Sequence, residues 1–237
     1  MKSYLGEYES FITSFLERGY KIIPLGQYSG SKKNEMLLRH DVDFDCSLAH
    51  KISDIEHKLG IKASYFFMLR SDSYNLLSGE NIDYVKSIQE KGHEINIHFD
   101  PSIYSDFREG FEMEKNIFES AFKTKIEVAS LHRPNDFFLN YDKPIQGIEH
   151  TYQKKFFGDI KYISDSRGTF RFGHPFDAEE WKNNDSIHLL IHPVWWSIDG
   201  GSPVDSLKKF ITLRGEKFDN HVADSCIPYR EYLDSQK

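Results

Sequence analysis

Four apolar runs of this chain end in side chains able to bind a metal ion or move a proton. They read LLRHDVDFD (residues 37–45), HEINIHFD (93–100), VASLHRP (128–134) and HLLIHPVWW (188–196). Aspartate and histidine supply the usual donors of catalytic metal sites and the usual acids and bases of hydrolysis. Taken singly, each has a bland alternative. Asp41 and Asp43 suit a polar turn with Asp45 as a helix cap, and His98 suits a satisfied core histidine. His132 suits a loop start, and His192 before Pro193 suits a strand end. Four such ends meeting at one place outweigh those alternatives.

Strand parity sorts the side chains further. Asp41 and Asp43 are two apart and leave an extended chain on the same face, with His40 on the other. Glu94, Asn96 and His98 share a face that excludes His93. His188 and His192 share one too, but only His192 stands at the carboxyl end of its run.

The elements that carry these residues follow from periodicity. Helical spacing is predicted over 3–18, from Asp45 or Ser47 to Leu59, and over 81–91, 107–122 and 203–213. Short apolar strands are predicted over 20–25, 35–40, 62–69, 93–99, 126–131, 162–164, 169–172 and 187–191. Residues 133–160 are less regular, and 216–237 carry no assignment. Such alternation implies an α/β fold of parallel strands with crossover helices, either an open sheet or a barrel. In both, the carboxyl ends of the strands converge on one crevice or one mouth. No repeat or composition break divides the chain, so 1–237 reads as a single domain.

Composition removes several classes. The 237 residues carry 30 Lys+Arg against 37 Asp+Glu, a net charge of −7, which repels phosphate backbones and argues against a nucleic-acid partner. Cys46 and Cys226 cannot form a disulfide framework; a single pairing is open to them, but lone thiols of a reducing compartment are the plainer reading. No apolar stretch approaches the roughly 20 residues of a transmembrane segment. Glu7, Glu9, Glu17 and Arg18 break up any signal-peptide core, so a cytoplasmic location is expected. A serine hydrolase lacks its G-x-S-x-G elbow here, and a dinucleotide enzyme its G-x-G-x-x-G turn.

In this order, the segments resemble the NodB-like polysaccharide deacetylases of carbohydrate esterase family 4. The resemblance rests on Asp41-Val42-Asp43, the Gly92–His98 strand, His132-Arg133-Pro134 and Leu189–His192. Ser64–Phe67 and Tyr162–Ser166 fill two further places, and the match spans about residues 36–196. It looks closest to a cytoplasmic branch that accompanies surface-polysaccharide biosynthesis. The resemblance implies an irregular (β/α)7 barrel, with the N-terminal helix and C-terminal tail as additions. It also implies a metal-dependent removal of an N-acyl group from an amino sugar.

Residue by residue, it implies Asp41 as general base, Asp43 and His98 as metal ligands, and His192 as general acid. Arg133 or His132 would orient Asp41, and Asp165 would hold His192. The family's second metal histidine falls four residues after the first, where this chain has Ser102. The third ligand must therefore come from elsewhere, His132 first and Asp100 second. Zinc suits such a set, as do iron, cobalt or nickel. Tyr65, Trp195 and Trp196 are expected to offer aromatic faces to the sugar. Arg70, with Arg133, Arg167 and Arg171, offers guanidinium forks to an acidic or phosphorylated one. The expected substrate is an amino-sugar precursor, nucleotide- or lipid-linked. Two alternatives remain: a hydrolase of another non-peptide C–N bond on the same barrel, and a non-catalytic sugar-binding relative.

Overall fold

The computed structural model describes residues 2–236. A short hairpin, β1 (Lys2–Ser3) with β2 (Gly6–Glu7), leads into helix α1 (Tyr8–Glu17). Strands and helices then alternate. They are β3 (Lys21–Ile23), β4 (Glu35–Val42), α2 (Cys46–Lys58), β5 (Ser64–Phe67), α3 (Gly79–Glu90), β6 (Glu94–Phe99), α4 (Phe107–Phe122) and β7 (Val128–Leu131). The irregular stretch holds α5 (Asp136–Leu139), β8 (Glu149–His150) and α6 (Lys154–Phe157). Next come β9 (Lys161–Ser164), α7 (Glu179–Asn183), β10 (Ile187–Ile191), α8 (Pro193–Ser197), α9 (Pro203–Ser225) and α10 (Ile227–Ser235).

Local chemistry sets the ends of these elements. Asp45, rather than Ser47, caps α2: its carboxylate accepts from the Ser47 amide at 2.7 Å. Ser78 and Asp106 cap α3 and α4 in the same way. Gly92 takes φ +88° and turns the chain from α3 into β6, a conformation that glycine adopts without a Cβ penalty. Three expectations need correction. Residues 3–7 belong to the hairpin rather than a helix, with Gly6 at φ +110° where the chain leaves the turn into β2. Residues 169–172 are a loop between two positive-φ glycines, Gly168 and Gly173, with no strand beside them to pair with. Helix α9 continues to Ser225, well past 213. Its far half is anchored by charge, Arg214 to Asp45 at 3.1 Å and Lys217 to Glu80 at 2.5 Å, and so leaves little apolar period to read.

Every pairing in the main sheet is parallel, in the order β8-β7-β6-β5-β4-β10-β9, with β3 beside the first half of β4. With β10 against β4, that order is a sequential ring of seven strands. Its one seam without ladder hydrogen bonds lies between β8 and β9. The ring is curled, not flat. In a flat sheet β8 would lie four strand spacings from β4, about 19 Å. Yet Arg39 of β4 sits 5.6 Å from the ring of Tyr152, two residues past β8. Side chains close the seam: His188 Nδ1 bonds the Phe156 carbonyl at 2.8 Å, and Phe157 packs on Tyr162 at 5.0 Å.

Two apolar layers result, one on each face of the strands. Outside, Leu38, Phe67, Ile97 and Leu189 pack in the larger core shared with α1, α2 and α3. Inside, Leu37, Phe66, Val128 and Phe156 form a smaller core with Ile23 and Leu25, which sit beside the amino end of β4. Above this floor the interior turns polar, and there the chemistry gathers. Among the described residues, no helix is long and apolar enough to cross a membrane. Cys46 is a buried free thiol and Cys226 an exposed one.

Candidate active site

Strand β4 points Leu37, Arg39 and Asp41 inward, because residues two apart share a face. That places a guanidinium against a carboxylate inside the barrel. Arg39 donates from Nε to Asp41 Oδ1 at 2.8 Å and from a terminal nitrogen to Oδ2 at 2.6 Å, with both residues almost wholly buried. Burial pushes the Asp41 carboxyl up. The Arg39 charge and hydrogen bonds, with His98 and His192, overcome this and hold it well below the usual carboxylate range. The partner expected for Asp41 was Arg133 or His132, and this is corrected: Arg39 already occupies both carboxylate oxygens in a bidentate pair. Arg133 instead lines the cavity wall, with φ +48°.

Just beyond β4, Asp43 reaches the same mouth with its carboxylate free of any arginine. Its Oδ1 lies 3.2 Å from His98 Nε2 and 3.7 Å from His132 Nδ1, and the two ring nitrogens are 3.1 Å apart. These three atoms form the described residues' one group with the spacing of a metal site. Zinc ligands at 2.0–2.2 Å in a tetrahedron are separated by about 3.4 Å, which the three edges bracket. Asp43 Oδ1 is buried and makes no other hydrogen bond, as an acceptor reserved for a cation would. His98 Nδ1 is hydrogen-bonded to Ser130 Oγ, and this turns Nε2 toward the cluster. Burial, then the neighbouring His98, pushes His132 down and keeps its lone pair available. Burial raises Asp43, but His98 and His192 more than reverse that, so it is ionised. The donor set fits a divalent cation. Asp100, the second candidate for third ligand, is corrected: its Oδ1 accepts from the Ser102 amide at 2.9 Å and caps a turn.

His192 follows β10 on the other side of Asp43, with Nε2 3.9 Å from Asp43 Oδ2. Asp165, after β9 and fully buried, accepts from His192 Nδ1 at 2.6 Å and from its backbone amide at 3.1 Å. The Trp196 indole N–H donates to the other Asp165 oxygen at 2.8 Å. Burial lowers the imidazole's affinity for a proton, but the Asp165 charge and hydrogen bond raise it further, to a pKa of about 9. His192 is therefore an imidazolium at neutral pH, with the Nε2 proton facing the mouth.

Asp41, Asp43, His98, His132, Arg133, Arg70 and His192 all line one cavity of about 1510 Å³. Three expected sugar contacts do not, and each is a correction. Tyr65 points to the outer face of β5, where its hydroxyl donates to buried Glu56 at 2.5 Å and its ring stacks on His40. Trp196 is wholly buried against Phe11 at 4.7 Å and serves Asp165. Trp195 packs into the outer core. The aromatic residues of the cavity are Phe44, Tyr74, Tyr152, Phe157, Tyr162 and Phe172 instead. Arg39 and Ser130 also belong to the site. Both are legible by parity, Arg39 two before Asp41, and Ser130 opposite His98 once β6 pairs with β7.

Fold and site together define a parallel β/α barrel with a two-histidine, one-aspartate cluster at the carboxyl ends of its strands. No family model matches the chain, and no curated protein matches it in sequence. The chain is similar to several solved structures. One is the peptidoglycan deacetylase PdaC from Bacillus subtilis, at 12% identity and a TM-score of 0.45, covering 80% of this chain and 87% of that one. A family 4 carbohydrate esterase from Bacillus anthracis has 16% identity and a TM-score of 0.45, covering 87% and 86%. A CE4 family pseudoenzyme from Bacillus anthracis has 15% identity and a TM-score of 0.40, covering 80% and 63%.

Proposed function

We propose that the protein is a divalent-metal-dependent hydrolase that removes an acetyl or similar acyl group from the nitrogen of an amino sugar. The observation that carries this is the triangle of Asp43 Oδ1, His98 Nε2 and His132 Nδ1, flanked by Asp41 and by the charged His192. A cation bound by those three atoms supplies a Lewis acid for the acyl oxygen and lowers the pKa of a water to about 7. Asp41 stays ionised across the working pH range. Arg39 holds its orientation and leaves each oxygen one lone pair to accept the proton of an attacking water. His192 gives its Nε2 proton to the departing amine, which is otherwise a poor leaving group, and Asp165 stabilises the imidazole throughout. Zinc is the first candidate metal, with iron, cobalt and nickel suited to the same donors. The sugar, and a cytoplasmic role in surface-polysaccharide biosynthesis, rest on the sequence resemblance.

The test is titration of zinc, cobalt and nickel into wild type, Asp43→Ala, His98→Ala, His132→Ala and Asp41→Asn, with acetate release from N-acetyl amino sugars measured in parallel. Near-stoichiometric binding is expected in wild type and Asp41→Asn. Each ligand variant should lose about 100-fold or more, since even outer partners are worth 10–100-fold. Acetate release should vanish in Asp41→Asn with metal still bound. A wild type that binds none of these cations, or acetate release that survives the ligand variants, overturns the reading.

A further inference from the structure

Nine arginines occur in the chain, and four of them line the active-site cavity on exposed loops without an acidic partner: Arg70, Arg133, Arg167 and Arg171. Of the other five, three pair with carboxylates, Arg39 with Asp41, Arg214 with Asp45 and Arg230 with Asp224, and Arg18 donates to backbone carbonyls. In a chain with 37 acidic residues against 30 basic ones, leaving several guanidinium groups unpaired around one cavity is not a shortage of partners. Arg133 and Arg167 are also held at φ +48° and +63°. Outside glycine, that region costs about 1 kcal/mol or more, and such strain is often found at functional sites. Gly168 pins the second of these loops, because a Cβ there would stand 2.5 Å from the Tyr4 hydroxyl and 2.8 Å from Pro203.

Three of the four lie on one side of the mouth, and Arg70 lies across it in the loop after β5. Arg133 follows β7, and Arg167 and Arg171 follow β9, so the three flank the seam between β8 and β9. The cavity's unpaired acidic residues outside the cluster, Asp72 and Asp100, lie in the loops after β5 and β6, across the mouth. Arg171 rests over the Phe172 ring at 5.2 Å, and that ring is 84% exposed. Phe172, with Phe157 and Tyr162, also borders a second cavity of about 670 Å³, so the two cavities share these walls at the seam. Sites for small ligands are usually about 300–1,000 Å³, so a monosaccharide alone leaves most of this volume empty.

We infer that Arg133, Arg167 and Arg171 bind a phosphate or diphosphate group, so that the substrate is an amino sugar esterified to phosphate. The guanidinium fork matches phosphate oxygens two at a time. The second cavity takes what lies beyond the phosphate. The sugar part of this rests on the hydrolase reading; the anion site rests on the arginines alone.

The test titrates inorganic pyrophosphate, a uridine diphosphate-linked N-acetyl amino sugar and a neutral N-acetyl amino-sugar oligomer. The proteins are wild type, Arg167→Asn/Arg171→Ala and Asp43→Ala. Asparagine already occupies φ +59° at Asn34 and +55° at Asn184, so Arg167→Asn keeps or improves the backbone. The paired variant should lose about 10-fold or more per arginine for both phosphorylated probes, in line with charge-assisted hydrogen bonds, with the neutral oligomer unchanged. Asp43→Ala should change pyrophosphate binding little. Tighter binding of the nucleotide sugar than of pyrophosphate would support a nucleotide-linked substrate; equal binding would support a phosphate with no base. Equal affinity of pyrophosphate for wild type and the arginine variant overturns the inference. Loss only in Asp43→Ala overturns it too, because the anion would then sit on the metal. Anion binding lost in the arginine variant, with no acetate released by wild type from any probe, keeps this site and removes the hydrolase reading. Acetate release from the neutral oligomer with no pyrophosphate binding does the reverse.

Discussion

Replacing Arg39 by methionine keeps an unbranched stem in place of the arginine methylenes and removes the group that neutralises Asp41. Asp41 is 3% exposed and Arg39 fully buried, so water cannot take over the lost hydrogen bonds. Removing one member of a buried ion pair costs about 3–5 kcal/mol, because the other charge is left desolvated and unpaired. The guanidinium also faces the rings of Phe66 and Tyr152, each at 5.6 Å, and those contacts are lost with it. Whole domains are stable by only about 5–15 kcal/mol, and 1 kcal/mol moves the Tm of a chain this size by about 2–4 °C. The expected fall for Arg39→Met is therefore about 6–20 °C, measured by urea and thermal unfolding at pH 7. The pH dependence has a definite sign. Because Asp41 is held low in the folded state, the pair's stabilisation is present above the carboxylate's unfolded pKa of about 3.9 and fades as pH falls through and below it. The gap between wild type and Arg39→Met should thus be widest near neutrality and narrow toward pH 3. Arg39→Met/Asp41→Asn should be less unstable than the sum of its two single variants. A loss under about 1 kcal/mol for Arg39→Met, or strict additivity in the double variant, would refute the assignment of Arg39 as the partner of Asp41.

His188 is fully buried, and burial followed by the Arg39 charge lowers its pKa to about 3. Its folded pKa lies below the unfolded value near 6.5, so this contribution is complete above pH 6.5 and is lost as pH falls toward 3. Between pH 6.5 and 4.5 the loss is about 2 kcal/mol, and His188→Asn should flatten that slope in a pH series of urea melts. Tyr65→Phe should cost about 1–3 kcal/mol through Glu56, while acetate release stays intact; a lost turnover would return Tyr65 to the site. Trp196→Phe removes one hydrogen bond from Asp165, whose charge then holds the His192 proton more tightly, so kcat should fall and its basic limb move to higher pH while metal content is unchanged. A parallel loss of metal would show that Trp196 supports the whole mouth instead.

Much of the site was legible in the chain because strand parity and strand ends are local properties. Leu37, Arg39 and Asp41 must share a face of any extended strand, and so must Asn96 and His98, whatever sheet they join. Alternating short apolar strands and amphipathic helices demanded a parallel sheet, whose carboxyl ends gather side chains on one side. What parity leaves open is which face of the sheet becomes the inside. Curling put Arg39 and Asp41 within and His40 and Tyr65 without, so Tyr65 joined Glu56 rather than the cavity. The choice of His132 over Asp100 was equally tertiary: pairing of β6 with β7 sets His132 beside His98, while a turn consumes the Asp100 carboxylate. The seam between β8 and β9, which three arginines flank, exists only because seven strands bend far enough to bring the two ends of the sheet together. Sequence determines the faces and the ends of each strand; which faces enclose a site depends on the curvature of the whole sheet, a sum over every strand pair that no single segment records.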